Sequence, residues 1–137
     1  MIVLTSFVDG LKVEADERWS GARWAPKFAQ AWPLATWAAP LRDDGSAVRL
    51  RDFGLDPLDQ YREWMLALYR ERWTDIREWL DGVDEKRVVL ACWCPHTRVA
   101  KAQLAKFGTY HCHLGVVSEV LDGAEVEWEF VGDERRV

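Results

Sequence analysis

The sequence predicts a three-layer α/β domain in which helices flank a small, mainly parallel β-sheet. Three observations lead there. Residues 2–7 (IVLTSF) and 87–93 (RVVLACW) are apolar or β-branched almost throughout, as in strands covered on both faces. A long amphipathic stretch, residues 57–82, lies between them. The full order is strand, irregular crossover, strand, long helix, strand, helices, strand, which is how parallel strands are joined. No internal repeat or low-complexity segment divides the chain, so residues 1–137 read as one domain, long enough to bury a full core.

Taken in order, residues 2–7, followed by Asp9-Gly10, predict a central strand ending in the small hydroxyls of Thr5 and Ser6. Charges and Gly21 break the pattern over residues 11–26, which reads as irregular or partly helical. Prolines 26, 33 and 40 exclude a long helix or a central strand from residues 24–40, leaving room for one short strand at 34–38. Residues 42–56 are polar, carry Asp44-Gly45, and read as a surface loop.

The helix that follows has Asp56 as its cap, Pro57 at its first position and Asp81-Gly82 at its end. Tyr61, Trp64, Met65, Leu68, Ile76, Trp79 and Leu80 supply the apolar face, and a mixed-charge face of arginine and glutamate opposes it. After the strand at 87–93, Thr97 can cap a helix over 98–107 that stops at Gly108. A further helix spans 114–121. Residues 125–131 (EVEWEFV) alternate in polarity and predict a half-exposed edge strand.

Composition narrows the function classes. A hydrophobic fraction of 49% with 30% charged residues is that of a soluble globular chain, and no apolar run approaches the length of a membrane span. Neither a signal peptide nor a disulfide framework is legible, so the expected compartment is the cytoplasm. The net charge of −5 argues against an extended, sequence-independent grip on nucleic acid, though a local basic patch is compatible with it. Nine tryptophans raise the odds of a protein-binding surface, since tryptophan is enriched in interface hot spots as well as in cores.

All three cysteines and all three histidines fall between Cys92 and His113. Cys92 and Cys94 lie where a buried strand ends, and ligands of open α/β sheets bind beyond the carboxyl ends of strands. Residues two apart in an extended segment share a face, so both thiols can converge on one point. Thr5 and Ser6 are expected alongside, and the helix start at Thr97, with Arg98, offers a seat for an anion.

Three chemistries and one structural alternative fit these residues. A zinc site would draw on Cys92, Cys94, His96, His111, Cys112 and His113, although one residue between the first two cysteines is shorter than the usual knuckle. Thiolate chemistry would use Cys92 or Cys112 as nucleophile and His113 as base. A third option is non-covalent binding of a nucleotide or other anion, and the alternative to all three is packing of sulfur and imidazole in a core. No glycine-rich phosphate loop, G-x-S-x-G elbow or H-E-x-x-H is present.

Thr5-Ser6-Phe7, the run Leu90-Ala91-Cys92-Trp93-Cys94-Pro95, and Cys112-His113 leading into Val116-Val117-Ser118-Glu119-Val120-Leu121 resemble bacterial and phage domains of unknown function numbered 488 and 4326. The chain differs in placing residues 97–110 between the two cysteine motifs and in carrying Leu114 where many members have arginine or glycine. The resemblance implies a Rossmann-like fold and a Cys/His site handling a nucleotide- or nucleic-acid-type ligand. It also implies an alternative: a non-enzymatic, phage-encoded regulatory protein that docks on a host protein, such as the transcription machinery, through a tryptophan-rich acidic surface. That alternative expects several of Trp19, Trp24, Trp32, Trp37 and Trp128 to be exposed.

Overall fold

A computed structural model describes residues 1–38, 44–46, 57–92 and 113–131. Four strands, β1 (Ile2–Ser6), β2 (Glu17–Ser20), β3 (Val88–Cys92) and β4 (Trp128–Val131), form a sheet of order β2-β3-β1-β4. Every pairing is parallel, with Ile2 opposite both Val88 and Trp128, and Glu17 opposite Val88. The expected three-layer α/β architecture, Rossmann-like and with β1 inside the sheet, is the one observed. No helix among the described residues is long and apolar enough to cross a membrane.

The two faces of the sheet are covered unequally, and strand alternation decides which residue serves which face. Ile2, Leu4, Val88, Leu90 and Cys92 point to the thicker side. There they join Met65 and Tyr69 of α2 (Pro57–Glu71), Ile76, Trp79 and Leu80 of α3 (Trp73–Gly82), and Leu114, Val117 and Leu121 of α4 (His113–Gly123). Val3, Val89 and Ala91 point the other way, where Phe7 of the short helix α1 (Phe7–Lys12) and Ala29 of a 3-10 turn (Lys27–Ala29) cover them.

Several local outcomes differ from the sequence expectation for identifiable reasons. The predicted strand ends one residue early, at Ser6, and Phe7 with Asp9-Gly10 belongs to α1, because Ser6 caps that helix: its Oγ accepts from the Asp9 amide at 3.2 Å and donates to Asp9 Oδ2 at 3.0 Å. Gly10 then lets α1 lie close on the sheet, since a Cβ there would stand 2.9 Å from Val89 Cγ1 and 3.2 Å from Thr5 Cγ2. Arg18 closes the far end of α1 by donating from Nε to the Gly10 carbonyl at 3.0 Å and from Nη2 to the Val13 carbonyl.

The segment expected to be irregular contains β2, and the strand expected at 34–38 is reduced to one parallel bridge between Ser20 and Leu34. The long helix is two helices, meeting at Arg72. Arg72 Nη1 reaches the carbonyls of Thr36 and Ala38 at 3.3 and 2.8 Å, tying the helix junction to the segment after β2. Arg62 of α2 donates from Nε to both oxygens of Glu119 on α4 at 2.9 Å, which fixes the two helices side by side. The predicted cap Asp56 and the predicted helix at 98–107 lie outside the described residues.

Candidate functional site

The carboxyl edge of the sheet is built by the ends of β1 and β3. Their register places Thr5 opposite Ala91 and Ser6 opposite Cys92, so a hydroxyl and a thiol end two neighbouring strands on the same face. From Ser6 the chain enters α1, whose Phe7 packs with Val3, Val89 and Ala91 on the thinner side. The next described element after Cys92 is α4, whose Leu114, Val116, Val117 and Leu121 share the opposite cluster with Cys92 itself. In open α/β sheets a ligand crevice forms where neighbouring strands send their connections to opposite faces.

The candidate ligand-binding hydroxyls are both engaged within the protein. Thr5 is fully buried and its Oγ1 donates to the Val131 carbonyl of β4. Ser6, partly exposed, is committed to the Asp9 cap. Cys92 is 1% exposed and lies in the cluster with Leu90, Leu114 and Val117. His113 opens α4. Cys94, His96, Thr97, Arg98, His111 and Cys112, together with the side chain of His113, lie outside the described residues. Among the described residues no group of three or more His, Cys, Asp or Glu side chains converges as a metal site would require.

Ser20 and Gly21, at the end of β2, also belong to this edge. The Gly21 amide donates to the Ala91 carbonyl at 2.7 Å, while Ser20 Oγ, buried, donates to the Ala22 carbonyl at 2.6 Å. Sequence reasoning did not find them, because β2 has only four residues and two of those are charged. For α1 and its buried Asp9 there was a usable signal, the Ser6-x-x-Asp9 spacing of a helix-capping box.

The tryptophans divide into two groups. Trp37 and Trp79 are buried and meet at a ring separation of 6.1 Å; Trp19 packs edge-on against Trp79 at 5.7 Å, and Trp37 against Tyr69 at 5.2 Å. Trp24 is 56% exposed and Trp73 39%, whereas Trp19, Trp32, Trp64 and Trp128 are half-buried.

Glu17, at the opposite, amino edge, has a resolved shift in acidity. The Lys86 ammonium at 2.9 Å holds its carboxyl below the usual carboxylate range; burial opposes this, and the indole N–H of Trp19 at 3.2 Å adds to it. No family model matches the chain, and no curated protein or solved structure matches it.

Proposed function

We propose that the protein is a cytoplasmic domain that binds, or acts on, a small anionic ligand of nucleotide type at the carboxyl edge of its sheet. The observation that supports this is that Ser6 and Cys92 end neighbouring parallel strands while α1, after Ser6, and α4, the next described element after Cys92, pack on opposite faces of the sheet, the pattern of a ligand-binding switch point. The stretch with every other cysteine and histidine of the protein starts directly after Cys92. In this reading Cys92 is a buried anchor that aims the following residues, and Cys94, His96, His111, Cys112 and His113 are the groups that meet ligand or zinc. Thr97 and Arg98 then form the anion seat.

Thermal unfolding with a panel of mono- and dinucleotides, with and without added zinc, tests the reading. A ligand at 100 times its Kd stabilises by about 2.7 kcal/mol, so a binder raises Tm clearly. The rise is expected to shrink in Cys112→Ala, His113→Ala and Arg98→Ala. If no nucleotide moves Tm with or without zinc, the reading is wrong.

The exposure of Trp24 and Trp73 favours a second reading, a non-enzymatic, phage-encoded regulatory protein docking on a host protein. Stoichiometric retention of one host protein that is lost in Trp24→Ala and Trp73→Ala would support it.

A further inference from the structure

The segment that leaves β2 differs in charge from the rest of the molecule. Residues 21–38 contain no aspartate or glutamate in a chain of net charge −5, yet they carry Arg23 and Lys27. Each cation directly precedes an exposed aromatic residue, giving the doublets Arg23-Trp24 and Lys27-Phe28. Trp24 is 56% exposed and Phe28 46%, and both cations are exposed as well. Exposed aromatic rings of this size are unusual on a small soluble domain, and here two occur with a cation beside each.

The platform is held from beneath. Phe28 meets Trp32 edge-on at 6.3 Å, and Trp32 meets buried Phe7 at 5.9 Å, so a file of three rings runs from the core to the surface. The segment returns to its own starting point, because the Ser20 amide donates to the Pro33 carbonyl and the Ala35 amide to the Ser20 carbonyl, each at 2.8 Å. Arg72 pins its far end. Arg23 also borders a hollow lined by Thr36, Arg72 and Asp75. The segment starts at the Gly21–Ala91 hydrogen bond, on the same carboxyl edge as Ser6 and Cys92.

We infer that residues 21–34 form a docking platform for a short stretch of single-stranded nucleic acid. Bases stack on Trp24 and Phe28, while Arg23 and Lys27 take the neighbouring phosphates. Alternating rings and cations match the alternation of base and phosphate along a strand. A protein partner would be met as readily by apolar side chains without paired cations. The size is compatible with the acidic chain, because only two phosphates need be neutralised. The inference deepens the preceding reading by naming its ligand class and rests on that reading only for what happens at the sheet edge.

Fluorescence anisotropy with a labelled eight-nucleotide oligo-dT, its duplex form and a labelled mononucleotide tests it on the full chain. Binding of the single strand is expected, weaker for the duplex, with a log–log salt slope of about −1.4 for two phosphate contacts. Trp24→Ala and Phe28→Ala should each weaken it by about tenfold, and Lys27→Glu should weaken it comparably. Trp24→Phe should retain affinity while Trp24→Leu loses it, which separates stacking from apolar docking and from misfolding.

Binding that tolerates both alanine variants overturns the inference, as does absence of oligonucleotide binding. Tighter binding to phosphatidylserine vesicles than to oligo-dT, or equal retention by Trp24→Leu, also overturns it and points to a membrane surface or a protein instead. Oligonucleotide binding without mononucleotide binding leaves the platform standing and removes the switch-point reading; mononucleotide binding without oligonucleotide binding does the reverse.

Discussion

Gly10→Ala should destabilise the fold although it replaces glycine in a helix. In an isolated helix the change is favourable by about 1 kcal/mol, because alanine has the higher propensity. Here the new Cβ would stand 2.9 Å from Val89 Cγ1 and 3.2 Å from Thr5 Cγ2. Neither neighbour can give way easily. Val89 is β-branched and fully buried in β3, and Thr5 is fully buried with its hydroxyl donated to the Val131 carbonyl. Helix α1 must therefore lift from the sheet, and overpacking of this kind costs about 1–3 kcal/mol. Set against the propensity gain of about 1 kcal/mol, a net loss of up to about 2 kcal/mol is expected.

Urea unfolding followed by circular dichroism measures the effect: the midpoint should fall with the slope unchanged. In a Val89→Ala background the same substitution should cost less, with a coupling of about 1 kcal/mol in a double-mutant cycle. A Gly10→Ala protein as stable as the parent, or one equally destabilised in both backgrounds, would refute the steric account.

Two further outcomes follow from the edges of the sheet. Ser6→Ala removes the acceptor for the Asp9 amide and should cost about 1 kcal/mol in urea unfolding, with Ser6→Thr recovering most of it; unchanged stability in the alanine variant would show that the cap contributes nothing. At the amino edge, a carboxyl whose folded pKa is lowered stabilises above its unfolded pKa, and that contribution disappears as pH falls through the folded value. The Glu17–Lys86 pair is therefore lost in acid, below the ordinary carboxylate range, and Lys86→Ala should raise the Glu17 pKa toward the ordinary carboxylate value in a carbon-detected NMR titration. An unmoved Glu17 titration would rule out Lys86 as the main cause.

Features that depend on a short window of sequence were legible in it. The strands at β1 and β3 announce themselves by continuous apolar residues, α4 by its run up to Gly123, and β4 by alternation that leaves it half-buried at the sheet edge. Features decided by distant partners were not. The four residues of β2 become a strand because β3 supplies the pairing and residues 33–35 close around Ser20. The junction at Arg72 coincides with a guanidinium drawn to the carbonyls of Thr36 and Ala38, which nothing in residues 57–82 foretells.

The same division applies to the candidate site. That Cys92 ends a strand beside Ser6 follows from hydrophobic pattern and parallel topology. That its sulfur is sealed among Leu90, Leu114 and Val117 follows from packing, which the pattern of cysteines alone does not encode. Gly10 shows the same from the other side: its role, the close approach of helix to sheet, depends on Val89 and Thr5 and has no local signal.

The interior position of β1 bears on the order in which the molecule can be made. It is the first of the four strands to leave the ribosome, yet it pairs only with β3 and β4, the last two, and its Thr5 is hydrogen-bonded to a residue 126 positions later. Its apolar residues therefore have no native strand beside them while most of the chain is still being synthesised. Folding must wait for long-range parallel pairing, which is intrinsically slow and exposes unpaired strand edges in the interval. The nascent IVLTS segment is thus the place where a chaperone would first be needed.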